Sequence, residues 1–283
     1  MQNVYPSLKG KAGILTGGTS GFGFEIVRSL VAQGSKVMVF SVDELSAENA
    51  ALLKEAGDGE ALYAVQDITA DGAAEAMVAK TKEKFGKIDF LVANAGVANR
   101  FQAPLMSFDS ATIAEKLRHQ FNLFPVAFAT LAVEAAKEMA PRYKDVKPDE
   151  TGHKPDSGAI VVTLSESVYC PLRDDLVAYA AAKTATRSVM ESLTAILGPY
   201  NIRVNGIAPG FANTEAPRRF YSQYPNIRED IDRKIHLKPS FMDPSSVVPA
   251  VLYLLTDNYV TGDVVALDGG FRIEQKNYFQ DYS

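Results

Sequence analysis

The sequence predicts an α/β fold: one parallel sheet covered by helices on both faces. Three observations predict it. Short apolar runs alternate with helical periodicity along the chain, the pattern left by successive βα units. The first run ends in a glycine-rich turn that opens a helix, Thr16-Gly17-Gly18-Thr19-Ser20-Gly21-Phe22-Gly23. No break in composition and no internal repeat divides the 283 residues, so residues 1–283 are expected to form a single domain.

The elements follow in order. Residues 12–15 are the first apolar strand. Residues 24–33 carry helical periodicity and stop at Gly34, a helix-ending residue. Residues 36–40, with Val37, Met38 and Val39, read as a second buried strand. Residues 46–55 read as helix with Ser46 as its N-cap, and residues 61–65 as strand. Residues 73–85 are helix closed by Gly86, and 88–93 are strand. Residues 111–139 are largely helical, 159–164 strand and 176–197 helix; 202–207 and 264–267 are the last strands.

Two segments interrupt this rhythm. Residues 142–158 are polar and rich in Lys, Asp and Pro, and are expected as a solvated surface loop. Residues 211–242 are long, irregular and aromatic, with Phe220, Tyr221, Tyr224 and Phe241. They follow the sixth strand, at the carboxyl edge where such sheets bind ligands, and are expected to form a substrate-binding loop or lid. The alternative is a helical insertion packing on its own body.

Composition narrows the partners. The chain is 47% hydrophobic and 22% charged, enough for a full core. Net charge is −5 with no basic run, which argues against nucleic acid or an anionic membrane as the main partner. A single cysteine, Cys170, forbids an internal disulfide and fits a reducing compartment. Residues 1–10 lack an apolar signal core, and no stretch approaches the ~20 apolar residues of a membrane span. The expectation is a soluble, cytoplasmic protein. His119, His153 and His236 are scattered without metal-ligand spacing, so no metal is expected.

Two motifs carry chemistry. Tyr179-Ala180-Ala181-Ala182-Lys183 places a phenol and an ammonium on one helix face. A free Tyr titrates near pH ~10, and a neighbouring cation is expected to lower that value and create a usable acid/base. The glycine turn, Gly17 to Gly23, permits close backbone approach to a pyrophosphate, which the helix N-terminus attracts. Gly17, Thr19, Ser20, Gly21, Phe22 and Gly23 are its expected contacts. The second strand ends Phe40-Ser41-Val42-Asp43. An acid there binds a ribose diol and a base welcomes a 2′-phosphate. Ser41 is neither, and Asp43 stands two residues late, so NAD is favoured and NADP stays open.

With these motifs the chain resembles the short-chain dehydrogenase/reductase family in its single-domain form, from about Leu8 to Gly270. Thr16 to Gly23 is similar to the family's TGxxxGxG turn. Asp67-Ile68 resembles the pair that holds the adenine, and Asn94-Ala95-Gly96 the NAG motif lining the cofactor. Phe121-Asn122-Leu123 resembles the segment supplying the active-site Asn. Tyr179 and Lys183 form the YxxxK pair. Pro209-Gly210, Phe211 and Thr214 resemble the PG segment at the nicotinamide, and Thr261-Gly262-Asp263 and Asp268-Gly269-Gly270 the closing strand.

The resemblance implies a Rossmann-type doubly wound parallel sheet of about seven strands and hydride transfer between NAD(P)(H) and a secondary alcohol or ketone. Tyr179 is implied as general acid/base, Lys183 as the group that lowers its pKa and binds the ribose, and Asn122 as a bend that holds a linking water. A serine is implied at the substrate oxygen. Its commonest spacing, thirteen residues before Tyr179, falls on Glu166. Ser165 is the expected serine, with Ser167 as second choice. The aromatic loop favours a bulky apolar substrate such as a hydroxysteroid. Polyols or sugar alcohols, and a non-catalytic dinucleotide-binding regulator, are the alternatives. The family is commonly dimeric or tetrameric, so a homo-oligomer is expected. The aromatic tail 271–283 either packs on a neighbouring subunit or frays.

Overall fold

The computed structural model describes residues 7–145, 147–148, 157–170, 174–214, 218, 221–222 and 224–273. Strands β1 (Ala12–Thr16), β2 (Lys36–Ser41), β3 (Glu60–Val65), β4 (Phe90–Ala93), β5 (Gly158–Thr163), β6 (Ile202–Pro209) and β7 (Val264–Leu267) form the sheet. It is 7-stranded, in the order β3-β2-β1-β4-β5-β6-β7, and every neighbouring pair is parallel. The order reverses beside β1, so a crevice opens between the carboxyl ends of β1 and β4, where open α/β sheets take ligands.

The central strands are buried along their whole length; β1, β5 and β6 expose no residue. Alternate side chains go to opposite faces. Ile14, Met38, Leu91 and Ile160 pack on one side with α3 (Ala73–Phe85), α5 (Ala127–Met139) and α7 (Val177–Leu197). Leu15, Val39, Val92 and Val161 pack on the other with α1 (Gly21–Ala32) and α9 (Val248–Thr256). Two apolar layers flanking one sheet explain why these strands read as continuous apolar runs.

Local signals set the helix ends. Ser46 accepts from Asn49 N at 3.2 Å and caps α2 (Ala47–Lys54), as its sequence predicts. Asp109 accepts from Thr112 N at 2.7 Å and starts α4 (Ser110–Phe121). The expected helix over 111–139 is interrupted. A π turn, Asn122–Val126, carries Pro125 between α4 and α5. Pro lacks the N–H that a regular helix needs there, and the π turn admits one extra residue.

Three expectations change. The strand expected over 88–93 is regular only from Phe90, although the buried Asp89 before it already donates from N to Ala12 O and accepts at O from Ala159 N. Its carboxylate accepts from Ala12 N at 2.9 Å and from Arg142 Nη1 at 2.6 Å. The stretch 142–158 is therefore not simply a solvated loop: it begins in α6 (Pro141–Asp145), and Arg142 also donates to the carbonyls of Ile88 and Ser157. Within 211–242 lies α8 (Pro225–Lys234). Tyr221, Ile231 and Ile235 form a small core there with Phe211, Phe241 and Phe271. His153, Arg219, Phe220 and residues 274–283 lie outside the described residues.

Candidate active site

Most segments expected to carry function leave the carboxyl ends of the strands, so the sheet gathers them along one edge, while Asn122, Tyr179 and Lys183 stand on helical elements. At β1, Gly17 has φ +72°, and a Cβ on Gly23 would stand 1.9 Å from the Gly17 carbonyl oxygen. Only glycine fits such a turn. Ser20 begins α1 without a side-chain cap bond, and no acid stands in the first turn. The helix N–H groups are thus left for an anion. The cradle fits a dinucleotide pyrophosphate.

Partners remote in sequence hold the turn. Asn94 Nδ2 donates to Gly17 O at 2.9 Å, and the Asn94 and Ala95 amides both donate to Thr16 Oγ1 at 3.1 Å. Thr163 Oγ1 donates to Asn94 Oδ1 at 3.1 Å, which ties β5 to the same node. Asn49 Nδ2 donates to Thr19 O at 2.9 Å and the Tyr63 hydroxyl to Gly18 O at 3.2 Å. Sequence reasoning missed Thr163, Asn49 and Tyr63, because nothing local in the chain marks them.

Ser41 is buried, 3.3 Å from Thr19 Oγ1, and accepts from Asp43 N at 3.3 Å. Asp43 is exposed. Asp67 is exposed, and its carboxyl is held low by hydrogen bonds from Thr69 N and Oγ1. Ile68 and Phe22 pack against the two apolar layers. Gly96 abuts Phe124, whose ring a Cβ would meet at 2.1 Å. Thr214 lies against Gly21, its methyl 3.5 Å from where a Cβ would be. Pro209 ends β6, and Gly210 N donates to Leu267 O at 2.9 Å. Phe211 faces Phe271 edge-on at 5.0 Å, within the aromatic group.

The chemical centre lies between β5 and α7. Lys183 is buried and donates from Nζ to Thr163 O at 2.6 Å. The ammonium stands 3.9 Å from the centre of the Phe124 ring and 5.8 Å from that of Tyr179. Phe124 and Tyr179 meet edge to face at 5.5 Å. A cavity of about 20 Å³, room for one water, lies beside them, lined also by Thr16 and Thr186. Asn122 opens the π turn but is exposed; the side chain packed on Lys183 from that segment is Phe124.

Ser165, Glu166 and Ser167 are all buried after β5. Ser165 Oγ donates to Glu166 Oε2 at 2.8 Å and accepts from Ser167 N at 3.2 Å. Burial pushes the Glu166 carboxyl up to about 7, against the pull of its bond from Ser165. Burial also pulls Lys183 down to about 7. Tyr179 keeps some exposed surface, yet the protein around it desolvates the phenolate and raises its pKa; the charge of Glu166 adds to this, and Ser165 and Arg100 oppose it. Desolvation is the largest effect on Tyr179 and raises its pKa, where the sequence predicts a lowering by Lys183.

Arg100 donates from Nη1 to Asp175 Oδ2 at 2.8 Å, and Phe101 N to Asp175 O at 2.9 Å, which binds the segment after β4 to the entry of α7. Cys170 is partly covered, its thiol pushed up by burial and by Glu166. No group of side chains among the described residues has metal-binding character, and no helix of the described residues is long and apolar enough to cross a membrane.

Residues 17–272 match the family model described as enoyl-(acyl carrier protein) reductase. Short-chain dehydrogenase reductase 3b of Arabidopsis thaliana is 31% identical over 94% of this chain and 97% of its own length. The chain belongs to the short-chain dehydrogenase/reductase family. Levodione reductase of Leifsonia aquatica is 31% identical over 91% of this chain and 92% of its own. A solved levodione reductase superposes with a TM-score of 0.76 at 28% identity, over 94% of this chain and 99% of that one. This short-chain dehydrogenase/reductase is accordingly an NAD(P)-dependent oxidoreductase that interconverts alcohol and ketone groups of small molecules.

Proposed function

We propose that Tyr179 is the general acid/base, Ser165 the hydroxyl that holds the substrate oxygen, and Lys183 the group that holds Tyr179 and the cofactor ribose. The observation that supports this most is the convergence of buried Ser165 and Lys183 with the partly buried Tyr179 ring between β5 and α7. When bound, the nicotinamide supplies the site that accepts or gives the hydride. Gly17 to Gly23 and Asn94 to Gly96 would hold the dinucleotide, with Thr214 at its nicotinamide end. Tyr179 exchanges a proton with the substrate oxygen. Ser165 fixes that oxygen and keeps the carbon aimed. Phe124 covers one side of the ammonium with its ring. Asn122 keeps the role of shaping its helix, through the π turn it opens.

NAD is the preferred cofactor, since the second strand ends in neutral Ser41 and acidic Asp43 with no base beside them. The aromatic group of Phe211, Tyr221, Phe241 and Phe271 favours a bulky apolar substrate, of which a hydroxysteroid is the leading class. Outward-facing Phe121, Val126 and Val133 near the π turn, with Ile196 on α7, support self-association.

The test is nicotinamide absorbance with purified protein and a panel of steroid, sugar and small ketones and alcohols, with NADH, NADPH and their oxidised forms. Tyr179→Phe is expected to lose ~10²–10⁴-fold in turnover, and Ser165→Ala ~10²-fold or more. Near wild-type turnover in Ser165→Ala moves the role to Ser167. Tighter binding of NADPH than NADH reverses the cofactor assignment, and ready oxidation of polyols with no response to steroid alcohols removes the steroid class.

A further inference from the structure

Glu166 occupies a buried position between two serines and touches the hydroxyl assigned to the substrate. A serine hydroxyl has one proton to give and two lone pairs to fill. On Ser165 one lone pair is filled by Ser167 N at 3.2 Å. The remaining lone pair and the proton are shared among Glu166, at 2.8 Å, the Tyr179 hydroxyl, which also hydrogen-bonds Ser165, and whatever oxygen enters the site and displaces it.

We infer that Glu166 is a positioning residue whose proton decides whether Ser165 offers the substrate oxygen a donor or an acceptor. The inference rests on the assignment of Ser165 to that oxygen. With Glu166 ionised, the carboxylate can only accept, so it takes the Ser165 proton. Ser165 then has only a lone pair left, which suits the O–H of an alcohol. With Glu166 protonated, its O–H donates to Ser165 and fills that lone pair. The Ser165 proton is then free to point at a ketone oxygen. Ionised Glu166 thus arms the site for alcohol oxidation, and protonated Glu166 for ketone reduction. The switch adds or removes one proton at the Glu166 carboxyl, exchanged with solvent, and otherwise only hydrogen bonds change.

The surroundings keep both states accessible. Tyr179 and Lys183 face Glu166 from α7, Arg100 from the segment after β4, Asp268 from the end of β7 and Cys170 from its own turn. Arg100 favours the ionised form and Asp268 opposes it. Burial works against the charge, and the Ser165 hydrogen bond works for it.

The first readout needs no substrate. Infrared difference titration of the full chain, wild type against Glu166→Gln, isolates the Glu166 carboxyl. A protonated-carboxyl band that titrates near neutral pH is expected. In Ser165→Ala its proton affinity rises about tenfold, because the carboxylate loses its donor. Titration in the ordinary carboxylate range, or a midpoint that Ser165→Ala leaves in place, overturns the inference. The second readout is kcat/KM for cyclohexanol oxidation and cyclohexanone reduction against pH. In the wild type, oxidation falls about tenfold per pH unit below the Glu166 midpoint and reduction falls likewise above it. Both limbs flatten in Glu166→Gln, whose amide presents an N–H or a carbonyl oxygen at any pH. Unchanged limbs in that variant also overturn the inference. If the infrared coupling holds while Tyr179→Phe keeps full activity, the assignment of the reaction falls and the Glu166–Ser165 pair stands.

Discussion

Glu166 and Lys183 are displaced in opposite directions by the same cause. Desolvation favours the neutral form of each, and both arrive at about 7. The folded value of Glu166 lies above its ordinary 4.5, so the stability it contributes is full below 4.5 and is lost as pH rises through about 7. Lys183 lies below its ordinary 10.5 and acts the other way, regaining stability from about pH 7 upward. Urea unfolding against pH separates the two. Relative to Glu166→Gln, the wild type is expected to lose stability between pH 4.5 and 7, by no more than about 1.4 kcal/mol per pH unit. A flat difference across that window removes the buried-carboxyl account. Tyr179 and Lys183 stood out in the sequence only because their four-residue spacing falls in order with the other motifs around it. Phe124, Thr163 and Arg100 were not, because their partners lie far away in sequence and only the folded sheet edge brings them together.

The elements show where periodicity carries information and where it stops. Alternation of apolar runs with helical stripes was enough to place seven strands, and Ser46 marked its helix start through ordinary capping chemistry. The π turn left no such signal. One extra residue in a helix barely disturbs a 3.6-residue pattern, yet it changes which side chain faces inward. That is why Phe124, rather than Asn122, packs on Lys183. The polar look of 142–158 likewise hid Arg142, whose buried partner Asp89 stands 53 residues earlier. The glycines of the turn were legible, though not the remote side chains that hold it, and their geometry makes a sharp prediction. Gly23→Ala puts a methyl where the Gly17 carbonyl and Asn94 Nδ2 already stand. Cofactor affinity, measured by fluorescence titration with NADH, is expected to fall about tenfold or more, roughly the 1.4 kcal/mol scale of one displaced contact. Unaltered affinity in a folded variant means the turn does not cradle the dinucleotide.

At the scale of the molecule, one sheet edge collects seven strand ends, while the outer helices carry apolar residues that the described fold leaves uncovered. Val133 is 39% exposed and Ile196 61%. Scattered exposed apolar residues are ordinary, so the discriminating test is assembly itself. Sedimentation velocity is expected to show a dimer or larger species, and Val133→Glu with Ile196→Glu to shift it toward monomer with the far-ultraviolet circular dichroism unchanged. A wild-type monomer at micromolar concentration ends that proposal.

The segment between Phe211 and Met242 leaves and re-enters the body at nearly one point. Met242 N donates to Phe211 O at 2.9 Å, Asn213 N to Met242 O at 2.9 Å, and Ala212 pairs with Met242 as a lone parallel bridge. The amides of His236 and Leu237 also donate to Gly269 O, at 3.0 and 3.1 Å, so the exchangeable part is the stretch that precedes them. A stretch of other length and composition can be spliced there without altering any strand register, since closing a longer loop costs only about 0.6 kcal/mol per doubling. If 211–242 is the substrate-binding loop, as we propose, substrate choice and folding are written in separate passages of the chain, and a lineage, or an engineer, can revise the first while leaving the second intact.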